Sequence, residues 1–261
     1  MNKSDKHLII NKLPIIIYED DHILIANKPG VMATHPGGVY EDGSLLDYLK
    51  ADCLQRNVHA NLHLINRLDF DTSGIVLCAK LAHTARVFYE KIANREIKKE
   101  YLAVVFGRLI KKIIINEKLS EKRGTHIKWK IKVSKDGKES ITEVKPLHHF
   151  FKNGITYTLV LCKPLTGRQH QIRVHLKHSK HPIVGDKIYI ADKVFKYYTT
   201  HEHQLLPEHL DRIKSPRLLL HSYKIEFTFD NKEYIFTAKP PQDFLEFLDE
   251  KGKDIVDKLV I

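Results

Sequence analysis

Asn66-Arg67-Leu68-Asp69-Phe70-Asp71-Thr72-Ser73-Gly74 runs straight into Ile75-Val76-Leu77-Cys78-Ala79-Lys80, a charged knot followed by an apolar run. Leu62, Leu64 and Ile65 lead into it, and the apolar run resumes after Gly74. The pattern reads as strand, polar turn closing at Gly74, strand. Charged residues between two core-forming runs are costly unless they are paired, and loops carry function more often than the elements they join. Asp69 is the candidate chemical centre of the chain. The bland alternative is an aspartate that caps Thr72 or Ser73 in a turn.

Working outward towards the N-terminus, Ile15 to Tyr18, the acidic turn Glu19-Asp20-Asp21 and His22 to Ala26 form a hairpin that ends at Asn27-Lys28-Pro29-Gly30. Leu45, Leu46, Leu49 and Cys53 then mark a short helix with one apolar stripe after Ser44. Towards the C-terminus, Ala82, Ala85, Phe88 and Ile92 recur at helical spacing up to about Asn94. Tyr101 to Phe106 is apolar on both faces, as a central strand is. Residues 107–140 are basic and strand-like; in His126 to Val133 three lysines alternate with apolar residues, which reads first as a solvated, half-buried strand. Asp136-Gly137 is a turn. Thr156 to Leu161 is a further strand, and Ile172 with Leu176 places Thr166 to Leu176 partly on a helix. Residues 191–216 show no clear period and read as a surface excursion; His201-Glu202-His203 within it lacks the further ligands of a metal site. Leu218 to Phe229 and Tyr234 to Ala238 make a hairpin around Asp230-Asn231, and Pro240-Pro241 introduces a helix through Leu248.

Strands and helices mix without regular βαβ alternation, so the expected class is α+β with a long, bent, mostly antiparallel sheet, surrounding helices and a central cleft. The 261 residues are long enough for a substantial core. The expected organisation is an N-terminal extension over 1–14 and one catalytic domain over 15–250. The formal charge of +11 favours a polyanionic partner, with nucleic acid the first candidate. The three cysteines lack metal-type spacing and read as buried thiols of a reducing compartment. No run approaches the roughly 18 apolar residues of a membrane span, and no secretory leader is evident. A cytoplasmic monomer is expected.

Arg67 and Asp69, Tyr101, Arg168 and Arg173 make the polar constellation of the chain. A carboxylate flanked by guanidinium groups stays ionised and serves as nucleophile or base. A tyrosine beside it offers a ring face and a phenol. No Gly-rich phosphate loop, His-Glu-x-x-His or paired Cys-x-x-Cys is present, so neither cofactor nor metal is expected. Structural readings stand beside these: Arg67 and Arg173 as ion-pair partners, Tyr101 as core with its hydroxyl satisfied.

Arg67 to Gly74 resembles the signature of the RluA-type family of RNA pseudouridine synthases, and further segments resemble that family in the same order. They are Tyr18 to Leu24 through Asn27-Lys28-Pro29; Lys99 to Ala103 with Gly107; Gly137-Lys138 with Thr142; Thr166-Gly167-Arg168-Gln169-His170-Gln171-Ile172-Arg173-Val174-His175-Leu176 with Pro182-Ile183 and Gly185-Asp186; and Arg217 to His221. Asn66 departs from the family's usual histidine, and the small S4-like domain that some members carry in front is not seen. The resemblance implies isomerisation of specific uridines in rRNA or tRNA through a flipped-out base. By it, Asp69 is the catalytic carboxylate, acting on ribose or base. Arg173 pairs with it, Tyr101 stacks on the uracil, Arg67 fills the gap left in the RNA, and Arg168 and Lys28 contact RNA. The rival class is a non-catalytic RNA-binding protein, such as an assembly chaperone, on the same fold. A hydrolase built on Asp69 lacks a second catalytic carboxylate pair or a Ser-His partner.

Overall fold

The computed structural model describes residues 13–37, 43–121, 130–201 and 204–260. In chain order the elements are β1 (Ile15–Glu19), β2 (Ile23–Lys28), α1 (Leu45–Gln55), β3 (His63–Leu64), β4 (Ser73–Ala79), α2 (Ala82–Ala93), β5 (Lys98–Phe106), β6 (Ile113–Asn116), β7 (Leu119–Glu121), β8 (Ile131–Val133), β9 (Ile141–Lys152), β10 (Ile155–Pro164), α3 (Gln171–His178), α4 (Asp192–Thr200), α5 (Pro207–Ile213), β11 (Leu220–Phe229), β12 (Lys232–Thr237), α6 (Gln242–Phe247) and α7 (Glu250–Leu259). The class is α+β. The chain forms two compact units, one of residues 1–99, 221–243 and 260–261, the other of residues 100–220 and 244–259.

In the first unit, β1 and β2 form the antiparallel hairpin expected from the sequence, and β2 pairs antiparallel with β4. β4 is buried along its whole length, as its unbroken apolar run requires. β11 joins β4 in parallel at His221–Ser73 and Ser222–Gly74. β12 closes a tight hairpin on β11 through Asp230 and Asn231, both with positive φ; two such residues form the turn whose twist matches the flanking strands. α2 lays Ala85 and Phe88 into a core of Ile25, Ile75, Leu77, Ile225 and Phe227. Phe88 meets Phe227 edge-on at 5.2 Å and stacks on Phe229 at 5.1 Å; burying such a ring contributes about 1.5–3 kcal/mol. α1 begins at Ser44, whose hydroxyl accepts from the Asp47 N–H while the Asp47 carboxylate accepts from the Ser44 N–H. That capping box satisfies two donors of the first turn.

In the second unit, β5, β10, β9 and β6 pair antiparallel in that order. α3 packs over β9 and β10 and on β8 of the separate β7–β8 pair. Two expectations change here. Residues 191–216 are not a shapeless excursion: they hold α4 and α5, and bury Val194, Phe195 and Ile213. Their period escapes the sequence because each helix is short and buries only one or two residues. The helical C-terminus also runs past residue 250, as α7, whose Gly252 and Val256 are buried. His148 on β9 pairs with Asp249 at 2.9 Å and fixes the start of α7. Of the strand expected at His126 to Val133, residues 131–133 form β8 and residues 126–129 lie outside the described residues. Among the described residues, no helix is long and apolar enough to cross a membrane.

Candidate active site

The Asp69 loop differs from the sequence expectation in where it turns. The turn spans the four residues Asp69 to Thr72, with the Thr72 N–H donating to the Asp69 carbonyl at 3.1 Å, and Ser73 and Gly74 already belong to β4. Gly74 is needed for a different reason. Its φ is +117°, and a Cβ there would lie 2.2 Å from the Ser222 carbonyl oxygen. Only glycine lets β11 approach this closely.

The loop is anchored on both sides of Asp69. Before it, the buried Thr34 hydroxyl donates to the Leu68 carbonyl at 2.7 Å and accepts from the Leu68 N–H at 3.1 Å. After it, the Phe70 carbonyl accepts from the Met32 N–H at 3.1 Å and from the Lys28 ammonium at 3.3 Å. Asp69 itself is half-buried. The two residues flanking it are therefore held by hydrogen bonds from the segment 28–34, and its carboxyl starts from a fixed backbone.

Lys28 is fully buried, and its ammonium also donates to the carbonyls of Pro29 and Met32 at 2.9 and 2.8 Å. This corrects the expected RNA contact: a buried ammonium satisfied by three carbonyls organises the loop rather than reaching for a phosphate. A buried cation without such partners is not tolerated.

Arg67 is exposed, and its Nη1 donates to His35 Nε2 at 2.9 Å. His35 Nδ1 lies 2.8 Å from the Pro36 carbonyl. A carbonyl only accepts, so Nδ1 carries the proton and Nε2 is free to accept from Arg67. Asn66, without a role in the sequence reading, gains one here. Its amide oxygen accepts from the Leu77 N–H at 2.8 Å and its amide nitrogen donates to the Ile75 carbonyl at 3.2 Å. At the base of β4, Ser73 Oγ lies 2.9 Å from His221 Nδ1, and His221 Nε2 lies 2.9 Å from the Ala238 carbonyl. By the same reasoning Nε2 carries the proton and Ser73 donates to Nδ1.

In the second unit, Tyr101 lies on β5 opposite Cys162 of β10 and is 9% exposed. Glu100 beside it pairs with Lys163. Arg173 sits on α3, and Asp186 holds it in a two-pronged pair, Nε to Oδ2 at 3.0 Å and Nη2 to Oδ1 at 2.8 Å, with both residues buried. Its guanidinium carbon is 5.3 Å from the Tyr189 ring centre, a cation–π arrangement. The Tyr189 hydroxyl accepts from the Ile131 N–H and lies 2.8 Å from His170 Nδ1.

Burial opposes ionisation of Asp186, but the Arg173 charge and the N–H groups of Ile188 and Tyr189 outweigh it and hold the carboxyl below its ordinary range. Gly185, with φ +78°, places Asp186: a Cβ there would fall 1.8 Å from the Arg217 carbonyl oxygen. Arg168 is exposed, with Nε donating to the Glu139 carbonyl at 3.2 Å.

Sequence reasoning missed Thr34, Asn66 and Asp186 as positioning groups. Thr34 gives no signal in the chain, being one polar residue in a loop. Asp186 was visible only as part of the Gly185-Asp186 segment that resembles the family. His201 lies in the described part of the metal-like triplet and stacks on Tyr197 at 3.8 Å; Glu202 and His203 lie outside the described residues.

Residues 22–178 match the family model for RNA pseudouridylate synthase. An uncharacterised RNA pseudouridine synthase of Helicobacter pylori (strain J99 / ATCC 700824) is 34% identical over 89% of this chain and 75% of its own length. A ribosomal large subunit pseudouridine synthase D of Borreliella burgdorferi is 32% identical over 96% of this chain and 74% of its own length. In structure, the human RNA pseudouridylate synthase domain containing 1 aligns with a TM-score of 0.71 at 24% identity, over 90% of this chain and 86% of that one; that likeness is one of fold. The family model and the relatives together define an RNA-modifying isomerase. The chain belongs to the RNA pseudouridine synthase family.

Proposed function

We propose that this protein converts chosen uridines of large-subunit ribosomal RNA to pseudouridine, with Asp69 as the catalytic carboxylate. The target base leaves its stack, at a cost of roughly a few kcal/mol. The N1–C1′ bond breaks, the base turns, and C5 bonds to C1′; the proton lost from C5 is balanced by the one gained at N1. No electrons are exchanged with a cofactor. Asp69 promotes the bond exchange, Tyr101 stacks on the uracil, and Arg173 favours the ionised form of Asp69. Arg67 enters the gap left in the RNA, a role suited to a planar cation that stacks on bases. Arg168 contacts phosphate. The protein acts as a cytoplasmic monomer.

The observation that carries this reading is the anchoring of the Asp69 loop on both sides, at Leu68 by Thr34 and at Phe70 by Met32 and Lys28. A turn aspartate with only a capping role needs no such clamp. Relatives named as large-subunit synthases C and D support the choice of RNA. The test is a pseudouridine map of total RNA from cells with and without the gene. The reading requires at least one large-subunit rRNA site that disappears with the gene; an unchanged map in every RNA refutes it.

A further inference from the structure

We propose that the outer face of the β7–β8 sheet docks an RNA segment flanking the modified uridine, through its phosphates. The inference rests on the RNA-modifying reading above and adds a contact surface outside the catalytic residues. Its first support is the distribution of charge. Residues 107–140 carry eleven Lys or Arg and four Asp or Glu, so most of the chain's excess of eleven positive charges lies in that one segment.

The second support is how the fold presents the described lysines. β7 and β8 pair with Leu119 opposite Val133 and Ser120 opposite Lys132. Leu119 and Ile131 are buried against Val174 of α3 and Tyr189, with Val133 packed beside them. Side chains alternate across a strand, so Lys132 is left on the far side, where it is exposed. The chain then folds back so that Lys118, Ser134 and Lys138 gather at one end. The Ser134 N–H donates to the Lys118 carbonyl at 2.9 Å, and the Lys138 N–H donates to the Leu119 carbonyl at 2.8 Å. Lys118, Lys135 and Lys138 are exposed there.

Among the described residues none of these four lysines joins an ion pair, although Glu121, Asp136 and Glu139 are exposed on the same segment. Elsewhere in the unit Lys112, Lys130 and Lys163 do pair with acids. The surface also continues to Arg168, which holds the carbonyl of Glu139, the residue after Lys138. Lys132 on β8 and Lys118, Lys135 and Lys138 beside the strand ends, exposed and without an ion pair among the described residues, continue to an arginine proposed to contact phosphate and complement a nucleic-acid backbone. A solvated strand face needs no such continuity.

Phosphate contacts of this kind release counterions, and each removes roughly 0.9 from the slope of log affinity against log salt on a duplex. The experiment replaces Lys118, Lys132, Lys135 and Lys138 together by Gln in the full chain and uses Lys50→Gln as a control. A long large-subunit rRNA transcript is the probe for both binding and turnover. The salt slope of binding should flatten by about 3–4. KM should rise at least tenfold with kcat unchanged, and on a short stem-loop carrying only the target uridine the variant and wild type should match. Should the fourfold variant not fold, Lys132→Gln and Lys138→Gln singly should each flatten the slope by about 1. An unchanged slope and KM would overturn the proposal and leave the lysines to an acidic protein surface. A wild type that binds with the expected slope yet forms no pseudouridine would count against the proposed reaction and not against this surface.

Discussion

The side chain of Asn66 completes the pairing of Leu77: its amide oxygen takes the Leu77 N–H at 2.8 Å where the short strand β3 has ended. Backbone pairing between the two segments stops at the Ile65 N–H, which donates to the Leu77 carbonyl at 2.9 Å. Beyond it, the chain must leave the ladder to form the Asp69 loop. Asn66 has a donor and an acceptor on one planar amide, so it can serve both the Leu77 N–H and the Ile75 carbonyl. Asn66→Ala should cost about 1–3 kcal/mol, the penalty for buried backbone groups left unpaired. Chemical denaturation measures it, and a cost below a few tenths would show that the amide is incidental.

Thr34 should affect rate more than binding. Thr34→Val preserves shape but removes the one hydroxyl that satisfies both backbone groups of Leu68. A displaced catalytic carboxyl lowers kcat by up to about a hundredfold per ångström. A fall in kcat with little change in KM is expected for Thr34→Val, and near-normal kcat for Thr34→Ser. A fall in kcat for Thr34→Ser with near-normal kcat for Thr34→Val would point to the methyl group instead.

Asp186→Asn removes the carboxylate charge from the buried two-pronged pair with Arg173, and breaking a buried pair by removing one partner costs about 3–5 kcal/mol. The carboxyl is held below its ordinary 3.8 in the folded protein. A depressed carboxylate pKa stabilises the fold above 3.8, and that stability drains away as the pH falls through the folded value. Acid unfolding should therefore begin at higher pH in Asp186→Asn, since less stability remains to be lost. Circular dichroism followed down an acid titration gives the midpoint.

His175 acts at milder acidity. It is buried, its Nε2 lies 3.0 Å from the Glu117 carbonyl and its Nδ1 lies 2.9 Å from the Thr142 hydroxyl. Burial pushes the imidazole below its ordinary 6.5, against the opposing pull of Glu117. The unfolded chain therefore takes up a proton first as pH falls, and stability declines below about 6.5 by at most about 1.4 kcal/mol per pH unit. His175→Gln should flatten the Tm profile between pH 7 and pH 5.5; an equally steep profile would assign the decline to other groups.

The sequence made the strands legible wherever apolar residues form unbroken or alternating runs, as in β2, β4, β5 and β11. It also made α2 legible through Ala85 and Phe88, although Ile92, the last residue of the supposed stripe, is 36% exposed. α4 and α5 were hidden because one or two buried residues per helix do not make a period. The candidate site was legible only as separate motifs. Arg67 to Gly74 announced itself by its charges, whereas Thr34 and Lys28 act on that loop across long sequence separations. Asp186 was hidden for the same reason, 13 residues from the arginine it holds. Side-chain bonds between such separated residues leave no pattern in a linear chain. Gly74 was visible and misread: it serves the close approach of β11 at Ser222, not a turn.

The central claim is that Asp69 performs the chemistry on large-subunit rRNA. It is tested most directly by supplying wild-type protein or Asp69→Asn to cells that lack the gene and mapping pseudouridines in their 23S-type rRNA. The account requires that wild type restore the missing site and that Asp69→Asn, present at equal level and still binding RNA with its salt sensitivity intact, restore none of it. Restoration of the site by Asp69→Asn would contradict it.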